Sequence, residues 1–300
     1  MPSESPTVRR RDKVDSAPVG YVFVLVAATL WGLLGSFSKL AFQEGITPLE
    51  VAFWRAAIGS VLFGAHALVL RQARVAPRDL PAVLGFGVLG ISVFYAAYQF
   101  AVRTGGAALA AVLLYTAPAL VALLAWLLLR ERMTPGKLGA LALTLLGVAA
   151  ISLQGGEVRL SAAALSWGLL SAFTYALYYI FGKLYLNRYA TATVFLYALP
   201  VGALGLFPLV EFHGKSLLAW AAVVFIALLA TYGANLAYSA GWRRLEAPRA
   251  AVVATFEPVV AAAVAFAWWG ERFGPLGYAG SALVLLGLLI LTLEGRGRRG

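Results

Sequence analysis

The feature that most constrains this chain is a series of continuous apolar blocks, each close to the length at which a helix crosses a bilayer. A spanning helix needs about 20 apolar residues, whereas a strand of a membrane barrel alternates over about 10. Backbone N–H and C=O groups in lipid must bond within the protein, so such blocks predict spanning helices. The sequence contains ten of them, at roughly 20–41, 48–70, 80–102, 106–129, 136–154, 161–185, 191–211, 217–241, 248–269 and 275–294.

The composition agrees with a membrane protein. Hydrophobic residues make up 61% of the 300 residues and charged residues 12%, whereas a soluble globular chain is about 45–50% apolar. The absence of cysteine excludes disulfides and cysteine-based zinc sites. The two histidines, His66 and His213, form no HExxH motif, and no phosphate-binding GxxxxGK[ST] sequence is present. We therefore expect no metal, no cofactor and no ATP-driven pump.

The net charge of +11 has a topological explanation. If the N-terminus is cytoplasmic, most of the 24 Lys and Arg residues fall in loops and tails on the cytoplasmic side. This distribution predicts a multi-pass protein of the cell inner (cytoplasmic) membrane with both termini in the cytoplasm. It accounts for the charge without nucleic acid. The expected partners are the lipid bilayer and a small-molecule substrate, with no obligatory protein partner.

Two stretches of the chain resemble each other at an offset of about 140 residues, which indicates an internal repeat. The repeated unit has five spans, an odd number, so its second copy must enter the membrane from the opposite side. The predicted fold is all-α and polytopic, with ten transmembrane helices as two inverted five-helix repeats. The repeats are predicted at 20–155 and 156–294, between a cytoplasmic tail at 1–19 and a basic cytoplasmic tail at 295–300. The aligned pairs include Tyr98 with Tyr238, Arg103 with Arg243, and Pro118 with Pro258.

Inverted repeats favour a transport function. Such folds place a substrate site near the midplane and supply two equivalent gates for alternating access. A duplicated scaffold without transport activity is the alternative. Pro118 and Pro258 interrupt apolar spans, and proline breaks the helical hydrogen-bond ladder, so these two residues are hinge candidates.

The stretch EPVVAAAVAFAWWGER at 257–272 carries a family resemblance. Together with the two five-span repeats, it resembles the EamA-type members of the drug/metabolite transporter superfamily over nearly the whole chain after residue 20. The first repeat departs from the pattern, with Ala117 in place of Glu257 and Arg130 in place of Gly270. The resemblance implies a cavity lined by spans one, three, four, six, eight and nine. The aromatic-rich interior is similar to that of YddG-type bacterial aromatic amino acid exporters.

Repeat positions and helical spacing suggest which side chains line this cavity. Polar groups facing lipid are costly, so polar helix faces should point inward, either toward a substrate or into hydrogen bonds between helices. Aromatic rings with scattered hydroxyls suit large neutral or amphipathic solutes. The candidate substrate-binding residues are Trp31, Tyr95, Tyr98, Gln99, Tyr115, Thr116, Tyr175, Tyr178, Tyr179, Asn235, Tyr238 and Ser239.

Four charged side chains lie in or beside the predicted path. Glu257 falls near the middle of the ninth span, where it could carry a coupling proton, bind a substrate ammonium or hydroxyl, or accept bonds from backbone disturbed by Pro258. Lys39 and Lys183 occupy equivalent span ends, where snorkelling is favoured over attraction of a substrate carboxylate. Arg55 lies deeper, and structural pairing is favoured over snorkelling or anion binding.

These observations predict a secondary transporter, not an enzyme. We expect an alternating-access carrier that exports small amphipathic metabolites, foremost aromatic and other neutral amino acids. A multidrug or cationic-compound exporter is the alternative. A membrane enzyme is disfavoured because no convergent catalytic set is found, and a channel because no continuous polar pore is evident.

Overall fold

The computed structural model describes residues 17–130, 133–153, 160–270 and 274–297. Over these residues the chain forms helices joined by short connections, and no strand occurs. The fold predicted from the sequence, an all-α polytopic protein with an internal repeat, is confirmed. Most of the two predicted tails, residues 1–16 and 298–300, lies outside the described residues.

Within the described part of the chain, nine spans are long and apolar enough to cross a membrane. A tenth helix, Pro275–Gly297, contributes a shorter apolar stretch at Pro275–Ile290. Numbered in chain order, the first nine spans are Pro18–Gln43, Pro48–Val69, Leu80–Gly105, Leu109–Leu129, Pro135–Leu153, Ala162–Tyr185, Thr191–Leu209, Leu217–Trp242 and Ala247–Trp269.

Local sequence explains where several spans begin. Thr47, Ser161 and Ser216 each accept a hydrogen bond from the backbone N–H three residues later, at 3.2, 3.1 and 3.0 Å. These hydroxyls satisfy N–H groups that the first helical turn leaves unpaired. The third and fourth spans are joined at Gly106, whose φ of 87° is readily adopted only by glycine.

Irregular helix geometry recurs at matching places in the two repeats. The third span contains a π-helical segment at Val88–Val93, and the eighth span contains one at Ile226–Gly233. The fourth and ninth spans are both interrupted, after Leu114 and Ala254, and resume at Ala117–Leu129 and Glu257–Trp269. Matching interruptions in two halves of a chain are expected if both descend from one unit.

The two hinge candidates begin new helices. Pro118 and Pro258 each lie in the first turn of the second half of their span, where a missing N–H costs nothing. Just before them, the hydroxyls of Thr116 and Thr255 donate to the carbonyls of Leu113 and Val252, at 2.7 and 2.5 Å. Both spans therefore consist of two helical segments, with a threonine hydroxyl bonded to a backbone carbonyl at each break.

The fifth and tenth spans pack closely through glycine. A methyl group added at Gly147 would lie 2.6 Å from the carbonyl oxygen of Gly280, and one added at Gly287 would lie 2.9 Å from that of Ala140. Positions rise along one helix as they fall along the other, so the two helices are antiparallel. The offset of about 140 residues exchanges these two contacts, as expected if the repeats enter the membrane from opposite sides.

The same exchange relates other contacts. The first span packs on the eighth, with the Trp31 and Tyr238 rings 4.9 Å apart, and the sixth packs on the third, with Tyr175 and Phe94 4.8 Å apart. The second and seventh spans, which also correspond, pack on each other. Large apolar side chains cover the outside of the bundle, as expected for contact with lipid.

The close approach at Gly147 generates a first prediction. Gly147→Ala should lower the free energy of unfolding by about 1–3 kcal/mol, because the added methyl overpacks the contact with the tenth span. Gly139→Ala, in the same helix, is the matched control, since no atom lies within 4 Å of the added methyl. Thermal unfolding of the detergent-purified protein checks both variants. Equal melting temperatures would contradict the packing argument.

A candidate substrate site at the centre of the bundle

Tyrosines of the sixth span form one wall of the candidate site. Tyr175 stacks in parallel on Phe94 of the third span, with ring centroids 4.8 Å apart. The hydroxyl of Tyr179 donates to that of Tyr175 at 3.1 Å. Tyr178 donates to the side-chain oxygen of Asn235 in the eighth span. This wall thus combines aromatic surface with hydroxyl groups.

The eighth span supplies the residues facing this wall. The side-chain amide of Asn235 donates to the carbonyl of Thr231 at 2.6 Å. Tyr238 is fully buried, with its ring 4.3 Å from that of Trp242 and 4.9 Å from that of Trp31. Ser239 is also buried. Asn235 and Tyr238 are therefore engaged in contacts between helices.

The third and fourth spans contribute residues that are only half-buried. They are Tyr95, Tyr98, Gln99, Tyr115 and Thr116. Tyr98 and Tyr115 lie close enough to Glu257 to interact with it electrostatically. The hydroxyl of Thr116, in contrast, is occupied by its own helix. Side chains that are only half-buried keep surface that a bound solute could contact.

Arg55 of the second span contacts residues of the third and eighth spans. Its Nε donates to the hydroxyl of Thr231 at 3.1 Å, and its guanidinium carbon lies 4.9 Å from the centre of the Tyr95 ring. Sequence reasoning favoured structural pairing for this residue. The partners found are a hydroxyl and an aromatic face, and no ion pair joins Arg55 to an acid among the described residues.

Glu257 opens the second half of the ninth span and is half-buried beside the buried Pro258. It interacts electrostatically with Arg55 and with the hydroxyls of Tyr175 and Tyr179, as well as with those of the third and fourth spans. No ion pair with Glu257 is formed within the described part of the chain. We call Arg55, Tyr95, Tyr98, Tyr115, Tyr175 and Glu257 the central site.

The two candidate lysines lie at span ends and have local partners. Lys39 lies over the ring of Trp269, with its ammonium 4.6 Å from the ring centre. Lys183 donates to the carbonyl of Trp242 at 3.1 Å and to that of Leu245. Lysine near a helix C-terminus satisfies carbonyls that the helix leaves unpaired. These contacts fit anchoring roles.

Sequence reasoning missed several polar residues. Thr231 accepts a hydrogen bond from Arg55, but nothing in the sequence of an apolar span distinguishes this threonine from the others. Glu50 was also missed: it is fully buried at the start of the second span and pairs with Lys215, with His213 and with the indole N–H of Trp54. Its position in a first helical turn, where carboxylates are favoured, was the available signal. No three metal-ligating side chains converge among the residues searched.

On the side of the bundle predicted to be cytoplasmic, Glu246 links two elements. It pairs with the buried Lys137 of the fifth span at 2.6 Å and with Arg249 at 3.2 Å. Burial acts to raise the pKa of Glu246, but the hydrogen bond and charge of Lys137, together with the charge of Arg249, outweigh it. The pKa of Glu246 is therefore held below its ordinary value, and its charge stabilises the fold.

This pair generates a second prediction. Glu246→Gln should lower the free energy of unfolding at pH 7 by about 1 kcal/mol, a value reduced by the partial exposure of Glu246. A carboxylate with a lowered pKa contributes stability above its unfolded pKa of about 4.3 and loses it as pH falls through the folded value. The difference in the free energy of unfolding between the wild-type protein and the variant should thus vanish in acid. Thermal unfolding from pH 7 to pH 3 measures it, with the exposed Glu211→Gln as control. A deficit that does not change with pH would contradict the ion-pair explanation.

Comparison with known proteins identifies relatives over nearly the whole chain. The sequence profile of the EamA-like transporter family matches residues 18–153 and again 162–293, so the internal repeat is confirmed. An uncharacterized transporter of Archaeoglobus fulgidus is 28% identical over 276 residues, which cover 91% of this chain and 98% of the relative. A probable terminal-alkyne amino-acid exporter of Streptantibioticus cattleyicolor is 30% identical over 261 residues, with 85% and 86% covered.

Two further matches are a bacterial relative and a solved structure. An uncharacterized inner membrane transporter of Salmonella typhimurium is 25% identical over 293 residues, which cover 93% of this chain and 97% of the relative. A solved crystal structure superposes with a TM-score of 0.81 at 18% sequence identity, covering 95% of this chain and 100% of the other. At that identity the superposition supports the shared fold alone.

Proposed function

The chain belongs to the EamA-like transporter family of the drug/metabolite transporter superfamily, and from this premise we propose that it is an alternating-access carrier exporting aromatic and other neutral amino acids. The observation that carries the proposal is the central site, where a cation and an anion face half-buried aromatic rings without pairing with each other. Similarity to a probable terminal-alkyne amino-acid exporter supports the same substrate class.

The carrier mechanism rests on the repeat. Two copies of one unit, inverted with respect to each other, can exchange conformations and so open the central site to one side and then to the other. The antiparallel fifth and tenth spans support this inversion. The breaks before Pro118 and Pro258 give the fourth and ninth spans a place to bend.

The aromatic rings and hydroxyls of the central site supply apolar contact and a few directional bonds. Among the predicted residues, those that are only half-buried and keep surface for a substrate are Tyr95, Tyr98, Gln99, Tyr115 and Tyr175. Trp31, Tyr178, Tyr179, Asn235, Tyr238 and Ser239 lie behind them and support their positions. Glu257 remains the candidate for coupling transport to a proton gradient, since it is the acid of this site.

A cationic-compound exporter is the second candidate. Its support is Glu257, because an acid among aromatic rings attracts lipophilic cations. Arg55 opposes this reading, since a fixed cation in the same site repels such a ligand.

Counterflow tests the proposed function. Proteoliposomes loaded with unlabelled phenylalanine should take up labelled phenylalanine with a transient overshoot, because a carrier exchanges substrate across both faces. Empty liposomes and protein-free liposomes are the controls. If no overshoot occurs with phenylalanine, threonine, methionine or tryptophan, the amino acid assignment is wrong. An overshoot with a lipophilic cation in their place would favour the second candidate.

The proposed orientation, with both termini cytoplasmic in the inner membrane, is testable without removing native thiols, because the chain has no cysteine. Glu211→Cys lies in an exposed loop predicted to be external, and Asn187→Cys in one predicted to be cytoplasmic. A membrane-impermeant maleimide added to intact cells should label the first variant and not the second. The reverse pattern would invert the topology, and permeabilised cells provide the control for reactivity.

A further inference from the structure

We propose that Arg55 and Glu257 are the two poles of a clamp that recognises the zwitterionic head of a free amino acid. The guanidinium of Arg55 binds the α-carboxylate, Glu257 binds the α-ammonium, and the side chain of the substrate lies against Tyr175 and its stacked neighbour Phe94. This inference rests on the proposed function and narrows it to substrates in which both the amino group and the carboxyl group are free.

The first argument is the unused bonding capacity of Arg55. A guanidinium carries five N–H donors in a planar fork that matches a carboxylate. Only Nε is engaged, by Thr231, while the Tyr95 ring covers the face of the group. These two contacts fix the plane of the fork, and no other hydrogen bond to its terminal nitrogens is found among the described residues. A charge within a span is costly unless it is paired. A guanidinium that is held in place while its terminal N–H groups stay unbonded therefore indicates a ligand site.

The second argument is the arrangement of the two charges. Arg55 and Glu257 interact electrostatically, yet they form no direct ion pair. They belong to the second and ninth spans, and Arg55 is held toward the eighth span by Thr231. In an α-amino acid, one carbon atom separates the carboxylate from the ammonium. Two opposite protein charges that lie near each other without pairing complement that pair of charges.

The third argument is selectivity. A ligand that lacks one of its charges leaves the opposite pole of the clamp desolvated and unpaired, which opposes binding. A site built to bond a polar group rejects an analogue without it far more strongly than an apolar pocket rejects a missing methylene. The aromatic wall contributes affinity for the substrate side chain but does not discriminate between ligands with different charged groups. The clamp therefore predicts rejection of amines and of carboxylic acids that carry the same ring.

The test compares three ligands that share a phenyl ring: phenylalanine, phenethylamine, which lacks the carboxylate, and 3-phenylpropionate, which lacks the ammonium. Binding to the full chain in detergent is measured by the rise in melting temperature with ligand concentration. The wild-type protein should bind either truncated ligand about tenfold or more weakly than phenylalanine.

The variants should change these preferences reciprocally. Arg55→Gln should weaken phenylalanine binding about tenfold and strengthen phenethylamine binding, because the carboxylate pole is lost and no unpaired guanidinium is left to oppose the amine. Glu257→Gln should weaken phenylalanine binding and strengthen 3-phenylpropionate binding for the corresponding reason. Arg188→Gln, which removes a side chain that is 61% exposed in a loop, is the matched control and should alter no preference. If Arg55→Gln does not fold, Arg55→Lys keeps the charge, loses the fork and should reduce the same preference.

Two results would overturn the clamp while leaving amino acid transport intact. One is equal wild-type affinity for phenylalanine and either truncated ligand, and the other is a variant that weakens all three ligands alike. Failure of the proposed function is a different result. In that case wild-type protein shows neither counterflow nor thermal stabilisation with phenylalanine, threonine, methionine or tryptophan, and the clamp is rejected with it.

Discussion

In the hydrocarbon region, no water is present to satisfy polar groups, so each must find its partner within the protein. This constraint explains why the backbone of the described spans is helical, and it favours the bonds that the hydroxyls of Thr116 and Thr255 make to backbone carbonyls at the two breaks. It also explains the internal bonds of the polar side chains, such as that between Tyr178 and Asn235. Arg55 keeps N–H donors that no group in the described part of the chain accepts. By the same constraint, such donors indicate a place where a ligand binds.

Much of the fold was predictable because it follows from one-dimensional patterns. Span length, the offset of about 140 residues and the positions of Pro118 and Pro258 are all visible in the sequence. Pairing between side chains was not, because it depends on how each helix is rotated about its axis. Neither the bond from Arg55 to Thr231 nor the pair of Glu50 and Lys215 follows from hydrophobic pattern alone.

The candidate site was predicted in the same uneven way. Repeat alignment selected Tyr98 and Tyr238 as equivalent, yet Tyr98 is half-buried within the central site, whereas Tyr238 is enclosed by aromatic rings. Residues that align between the two repeats therefore need not have the same surroundings in the structure. The difference is greatest at Glu257, because its counterpart in the first repeat is Ala117. The acid of the proposed clamp therefore lies at a position where the two repeats differ.

That single acid has a consequence for kinetics. A carrier with two identical halves presents the same site to both compartments, and its half-saturating concentration is then equal on the two faces. In the proposed carrier, Glu257 lies on one half only, so the outward-open and inward-open states differ in free energy and hold substrate with different affinity. Detailed balance still requires the ratio of maximal rate to half-saturating concentration to match in both directions for an uncoupled carrier. Such a protein binds substrate readily from one compartment and releases it readily into the other. It still prefers no direction of net transport at equilibrium.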